Sequence, residues 1–290
     1  MRVVFLGTPE AAVPTLEALV SAGHDVVLVI TRPDRRRGRG SDLVASPVKR
    51  AALELGLRVG YRLGDIDVDE VELGIVVAYG AIIPAPLLAE VPMLNVHFSL
   101  LPRWRGAAPV QRAILAGDQE TGVAIISLEE TLDTGPVHLE RRVLIEEKTA
   151  ETLTRELAAL GASALLEVLA TPELLENPRV QAGDATYAEK LTKETFHVTP
   201  SSTALIALRT TRLGGAFLFI DDKRLSLFAA HASSAHVGEG VATRVDGDVL
   251  IGTSSGAVAL DQIRPEGSKT MSARAWWEGH HGLDDQLAWR

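Results

Sequence analysis

Along the first hundred residues, short unbroken apolar runs alternate with stretches in which apolar positions recur every three or four residues. Residues 3–6 are continuously apolar, as in a strand buried on both faces of a parallel sheet. Gly7-Thr8-Pro9 then places Thr8 as a helix N-cap and Pro9 at the first helical position. Val13, Leu16, Leu19 and Val20 carry a helical period that Gly23 ends. The same reasoning predicts a strand at 26–30, a helix opening at Ser46-Pro47 and running to Gly56, a short strand at 58–61, and buried strands at 73–78 and 94–98. Such alternation predicts an α/β fold with a doubly wound, mostly parallel, Rossmann-like sheet. One link is short: only about ten residues, 64–73, separate two strands, where a crossover usually takes a dozen or more.

Further along, 121–127 and 137–145 read as strands on either side of a polar loop, LEETLDTG, which contains Asp133. Residues 151–170 carry the longest helical pattern, with Leu153, Leu157, Leu160, Leu165 and Leu169 as its stripe. From 172 to 202 the periodicity is lost and proline, lysine and threonine accumulate, as in a linker. Beyond it, short strands at 216–220, 225–228, 241–245, 249–252 and 257–263 predict a small β-barrel.

Composition narrows the classes. A hydrophobic share of 46% and a charged share of 23% over 290 residues belong to a globular protein large enough for two domains. No cysteine is present, which removes disulfides, thiol nucleophiles and cysteine-based zinc sites together. No apolar run approaches the ~18 residues of a membrane span, and the opening MRVVFLGTPE is too short in its apolar part for a signal peptide. The expectation is a soluble, cytoplasmic protein with no membrane partner. Net charge is −9, which taken globally argues against a nucleic-acid binder, and no DNA partner is expected. The exception is local: Arg32, Arg35, Arg36, Arg37, Arg39, Lys49 and Arg50 face only Asp34 and Asp42 within one loop. Arginine runs in loops are commonly just solvated.

Candidate chemistry concentrates in NVHFSLLPRWRGAAPVQRAI, residues 95–114. Strand alternation puts Asn95, His97 and Ser99 on one face and Val96 and Phe98 on the other. They stand at the carboxyl end of a central strand, where open α/β sheets place ligands, and the Asp133 loop can return to the same end. Asn donates to a developing oxyanion, His moves a proton, and Asp fixes the His tautomer or carries the proton away. With no cysteine, this set suits direct attack by a substrate amine on an activated acyl group. Ser99 is discounted as a nucleophile, since no G-x-S-x-G elbow surrounds it. Gly7-Thr8-Pro9-Glu10 lacks the glycines of a dinucleotide loop, and Pro9 and Glu10 oppose a pyrophosphate, so a nicotinamide or flavin is excluded. Residues 252–256, GTSSG, mimic a phosphate loop without its lysine and read as a hairpin turn. His231, His236, His280 and His281 lack metal-ligand company and read as surface residues, and no metal is expected.

The ordered set FLGTPE, TRPDRRRGRG, SPVKRAALELG, VVAYG, NVHFSLLPRWRGAAPVQRAILAGD, TGVAIISLEETLDTGP and YAEKLTKE resembles the methionyl-tRNA formyltransferase family over residues 1–195. The resemblance implies formyl transfer from 10-formyltetrahydrofolate, as co-substrate, to the amino group of methionine on charged initiator tRNA, for translation initiation. It implies catalytic roles for Asn95, His97 and Asp133: oxyanion stabilisation by the first two, and orientation of His97 with proton removal by the third. It places folate contacts on Ser99, Leu100, Leu101 and Pro102, and tRNA contacts on Arg35, Arg36, Arg37 and Arg39. It makes residues 1–185 a formyltransferase catalytic domain, 186–202 a linker and 203–290 an OB-like, tRNA-binding barrel. Three departures stand out: Phe98 where the family has glycine, the short link at 64–73, and HVTP and TTRLGGAF in place of an aspartate–tryptophan pair and a proline-rich stretch. Rival readings are a formyltransferase for a sugar or glycinamide amine, a formyl-folate hydrolase, and a catalytically silent RNA-binding protein.

Overall fold

The structure, a computed structural model, describes residues 1–36, 43–280 and 286–290. The chain forms two compact units. One holds Met1–Val110, Gln119–Leu144 and Leu153–Glu189; the other holds Gln111–Asp118, Ile145–Thr152 and Lys190–Arg290.

Up to residue 189 the elements are β1 (Arg2–Gly7), α1 (Val13–Ser21), β2 (Asp25–Ile30), the two-residue strands β3 (Arg35–Arg36) and β4 (Leu43–Val44), α2 (Pro47–Glu54), β5 (Val59–Gly60), β6 (Leu73–Val77), α3 (Ala85–Glu90), β7 (Met93–His97), β8 (Arg105–Gly106), α4 (Pro109–Ala116), β9 (Glu120–Ser127), β10 (Val137–Leu144), α5 (Ala150–Ala170), α6 (Pro172–Glu176) and β11 (Tyr187–Ala188). Seven strands form one sheet in the order β10-β9-β7-β6-β1-β2-β5. Pairing is parallel from β5 across to β7 and antiparallel from β7 to β9 and β10. This is the expected mostly parallel, Rossmann-like sheet.

Two local differences from the sequence reading have clear causes. The first helix does not begin at Pro9 under a Thr8 cap; residues Glu10–Ala12 form a 3-10 turn and α1 starts at Val13. Pro14 dictates this. In a helix begun at Pro9 it would fall in the interior, lack the N–H owed to Glu10 and press its ring on that carbonyl; in the first turn it is tolerated. Thr8 instead donates its hydroxyl to the carbonyl of Tyr79 at 3.3 Å. Helix α2 does open as expected, with the Ser46 hydroxyl accepting from the Lys49 N–H at 3.0 Å.

The short link is the second. Residues between β5 and β6 must step past β2 and β1, about 14 Å at roughly 4.8 Å per strand. Two 3-10 turns, Leu63–Asp65 and Val68–Glu70, cover that distance without a helix. Ile66, with Leu63, Val68 and Val71, packs on the cluster of Val4, Leu6, Leu28, Ile30 and Val76, so the link covers the sheet face a crossover helix would cover.

On the other side of the sheet, α5 lies close to β7 and β9. A β-carbon at Gly161 would stand 2.6 Å from Val96 Cγ1 and 3.2 Å from Val123 Cγ2, so only glycine permits this approach. Val96 and Phe98 are therefore the helix-facing side of β7, and Asn95 and His97 face away from it.

The second unit holds α7 (Ala204–Thr211), β12 (Phe217–Ile220), β13 (Lys223–Ser233), β14 (Val241–Val245), β15 (Asp248–Thr253), β16 (Gly256–Pro265), β17 (Met271–Ser272), α8 (Ala273–His280) and β18 (Leu287–Ala288). Its antiparallel sheet runs β12-β13-β16-β15-β14-β18. The two edges meet where Phe219 and Arg290 exchange backbone hydrogen bonds of 2.6 and 2.8 Å, curling the sheet into a barrel around Trp277 and Trp289. Residues 252–256 are the hairpin turn between β15 and β16, as read. The sequence reading assigned neither α7 nor α8. Within this unit Arg209 donates to the carbonyls of Leu115 and Ala116 at the end of α4, both at 3.2 Å. Arg212 donates to the carbonyls of Glu146 and Lys148.

If the link at 61–72 does the work of a helix, truncating its central anchor carries a core penalty although the residue belongs to no regular element. Ile66→Ala should lower unfolding free energy by about 2–4 kcal/mol, read from the midpoint of chemical denaturation.

Candidate active site

Three segments of the first unit converge on β7. Asn95 and His97 point from the strand's polar face and are 9% and 6% exposed. Asp133, 8% exposed, arrives from the loop between β9 and β10. Because β9 is antiparallel to β7, with Ser127 opposite Leu94, the loop leaves beside the strand's amino-terminal part. The Leu128 N–H donates to the Met93 carbonyl at 2.8 Å, and the chain then folds back across the polar face. Asp133 Oδ2 ends 3.7 Å from His97 Nδ1 and accepts the Gly106 N–H at 2.8 Å. Asp133 itself takes φ +53, in the left-handed region that Asp tolerates better than most residues.

The third segment is 99–106. Ser99 lies beyond the strand rather than on it: it is fully buried, and its hydroxyl donates to the Arg103 carbonyl at 2.6 Å to close the turn. Leu101 packs into a cluster with Ala124, Ile126 and Val137, and Leu100 lies over Gly122. The Leu101–Pro102 peptide is cis. The turn brings the Trp104 carbonyl to His97 Nε2 at 3.0 Å. A carbonyl can only accept, so Nε2 carries a hydrogen, and in the neutral form of the ring Nδ1 is the bare nitrogen, toward Asp133. The backbone carbonyl of Trp104, rather than Asp133, fixes the tautomer.

What holds the 99–106 turn was not legible as a site. Thr186 bonds it three times: its N–H to the Pro102 carbonyl at 3.2 Å, its carbonyl from the Arg105 N–H and its hydroxyl from the Trp104 N–H, both at 2.9 Å. Strands β8 and β11 then pair in parallel. Gln181 bridges the same turn and the Asp133 loop. Its Oε1 accepts from Arg105 Nε at 3.1 Å and Nη2 at 2.6 Å; its Nε2 donates to the carbonyls of Asp133 and Gly135 at 2.8 and 2.9 Å. Both residues lie in the aperiodic stretch 172–202, whose composition reads as a linker. The one available signal was that YAEKLTKE belongs to the family's ordered motif set, which brings this stretch back toward the site without saying where.

The basic loop sorts into two kinds of residue. Arg32 donates to the Gly80 carbonyl, Lys49 pairs with Asp34 at 2.7 Å, and Arg50 lies 3.8 Å from Glu10. Arg35 and Arg36 are exposed on the β3–β4 ladder, opposite Val44 and Leu43. Arg37 and Arg39 lie outside the described residues. Among the other candidates, His231 is exposed and 3.0 Å from Asp261, and His236 is exposed. His281 and the His280 side chain are outside the description. Among the described residues no group of three or more His, Cys, Asp or Glu could hold a metal ion.

The formyl transferase family model matches residues 1–169, and that of the formyl transferase C-terminal domain matches residues 201–281. The second match takes in TTRLGGAF, residues 210–217, one of the two places where the motifs depart from the pattern. Methionyl-tRNA formyltransferase of Heliobacterium modesticaldum is 41% identical, over 96% of this chain and 97% of the relative. Among solved structures, HypX from Aquifex aeolicus in complex with tetrahydrofolic acid matches with a TM-score of 0.67 at 20% identity, over 100% of this chain and 51% of its own. Methionyl-tRNA formyltransferase from Clostridium thermocellum matches with a TM-score of 0.55 at 16% identity, over 81% of this chain and 95% of its own.

Gly106 is a constrained point of this arrangement. Its φ is +118, a β-carbon there would stand 2.8 Å from the Ala188 carbonyl oxygen, and its N–H is the donor to Asp133. Gly106→Ala should destabilise the first unit by at least about 1–2 kcal/mol from the backbone conformation alone. Thermal unfolding would read the loss, and an unchanged midpoint would mean that the β8–β11 pairing relaxes freely.

Proposed function

The chain belongs to the methionyl-tRNA formyltransferases within the formyl transferase family, and from that membership and the site's geometry we infer how it acts. The protein transfers a formyl group from 10-formyltetrahydrofolate to the amino group of methionyl-tRNA, in support of translation initiation. The observation that carries the residue assignment is the convergence of Asn95, His97 and Asp133, three buried polar groups from two distant segments, on one face of β7.

Bound 10-formyltetrahydrofolate supplies the formyl carbon, and its N10 is the leaving group. The methionyl amine, once neutral, attacks that carbon; a new C–N bond forms as the C–N10 bond breaks. The Asn95 amide donates to the oxyanion that develops, in a site where water is scarce and such a donor is strong. His97 exchanges protons through Nδ1, because Nε2–H is committed to the Trp104 carbonyl. A proton taken there from the attacking nitrogen creates an imidazolium that Asp133 Oδ2 stabilises from 3.7 Å. The same proton passes to N10 as tetrahydrofolate leaves.

The folate segment at 99–102 serves through its backbone and through half-buried Leu100 and Pro102, since Ser99 and Leu101 are turned into the fold. Arg35 and Arg36, with Arg37 and Arg39, contact phosphates of the tRNA; Arg32 and Lys49 are bonded within the fold. Selection of the initiator over elongator tRNAs and a cytoplasmic location follow from the same reading.

The direct test is transfer of labelled formyl to charged initiator tRNA, with charged elongator tRNA and a free amino sugar as controls; transfer to the sugar alone would replace this reading. Asn95→Ala should lower kcat by on the order of 10²–10³-fold with folate affinity little changed. A loss confined to KM would contradict the oxyanion role. Replacing Arg35, Arg36, Arg37 and Arg39 by serine should flatten the dependence of log tRNA affinity on log salt by somewhat under one unit per lost contact. Folate binding should be untouched, and an unchanged salt slope would return the loop to a merely solvated one.

A further inference from the structure

We propose that Gln181 is a positioning residue for the reaction: its side-chain amide fixes the backbone that leaves Asp133, at the carbonyls of Asp133 and Gly135, and so sets the carboxylate against His97. The proposal rests on the catalytic reading of Asp133.

Three observations carry it. First, Asp133 sits in the left-handed region at the tip of a loop that has to fold back over β7. A non-glycine residue there costs free energy and stays only where its surroundings over-determine it. Second, Gln181 supplies that determination at the right atoms. Its one amide nitrogen spends both hydrogens on the carbonyls of Asp133 and Gly135, both of which follow the Asp133 α-carbon along the loop. The amide orientation is unambiguous: carbonyls require the NH2 group, and the Arg105 guanidinium requires the oxygen. Third, Gln181 is itself anchored. Two residues earlier, Arg179 and Val137 exchange backbone hydrogen bonds of 2.7 and 2.8 Å, which ties the segment to the start of β10.

These bonds close a circuit. Arg105 holds Gln181, Gln181 holds the backbone of Asp133, and Asp133 Oδ2 returns to the N–H of Gly106, the neighbour of Arg105. The backbone carbonyl of that same turn, at Trp104, holds His97. Both partners of the His97–Asp133 pair are thus referenced to one turn, and Gln181 is the side chain that links the two references. A glutamine with only a structural role would be felt as stability. One with a positioning role is felt in the turnover step, where misplacement by ~1 Å can cost 10²-fold.

Gln181→Glu is the informative variant. It keeps the shape and the bond to Arg105 but replaces the donor with an oxygen facing two carbonyls. Formylation of charged initiator tRNA should fall in kcat by on the order of 10–10²-fold, with KM for both substrates within about twofold. The decisive comparison is the same change made in an Asp133→Asn background, where it should cost less than about twofold, because the residue it acts through is already gone. An equal loss in both backgrounds, a loss expressed in KM, or an unchanged kcat would overturn the proposal. If Asp133→Asn alone is as fast as the parent, the catalytic reading of Asp133 fails instead, which the two single variants distinguish. Should Gln181→Glu not fold, Gln181→Ala carries the same expectations, and thermal melts separate instability from misplacement.

Discussion

One carboxylate oxygen organises this site. Asp133 Oδ2 is where the loop after β9, the turn after β7 and the strand-borne imidazole meet: it accepts from Gly106 N–H and faces His97 Nδ1. An ionised carboxylate with 8% exposure is costly unless charge-assisted hydrogen bonds replace its water. One such bond is permanent. The other group this oxygen faces is His97 Nδ1, at 3.7 Å. The rest of the unit follows from keeping this oxygen in place. Gly161 lets α5 take the apolar side of β7, which leaves the other side for polar groups. Thr186 and Gln181 hold the two backbone segments that present the donor and the acceptor.

Much of this was legible in the residues. The alternation Asn95-Val96-His97-Phe98 was enough to predict which side chains share a face, because a strand offers only two. Phe98 in place of the family's glycine was expected to pack away from the polar pair, and it faces the α5 side together with Val96. Sheet class, the hairpin at 252–256 and the cap at Ser46 were likewise local properties, decided within a few residues of where they are read.

The rest depended on distances no local pattern encodes. Ser99 continued the polar alternation on paper, but the strand ends at His97 and the serine turns inward to close a loop. Leu101 stands among the folate contacts that the resemblance implies, and its side chain packs in the core beside Ala124 and Ile126. Thr186 and Gln181 sit in an aperiodic stretch whose role is to satisfy other segments' backbone groups, and hydrogen bonding to a distant carbonyl leaves no period in the sequence. The tautomer of His97 is set by a carbonyl, and every residue has one.

The composition of the second unit bears on how the barrel could be inherited or engineered. Segments 111–118 and 145–152 belong to it, although the barrel strands all come later in the chain. Arg209 and Arg212 reach those early segments with their guanidinium groups, and Ala150 N–H bonds the Arg212 carbonyl at 2.8 Å. Severing the chain at Lys190 would strand both arginines, leaving donors whose acceptors had gone with the other fragment. The barrel is therefore not a detachable module that recombination could graft whole onto another catalytic unit. Its modular look is a property of sequence order, and its integrity is written partly into helices that precede it.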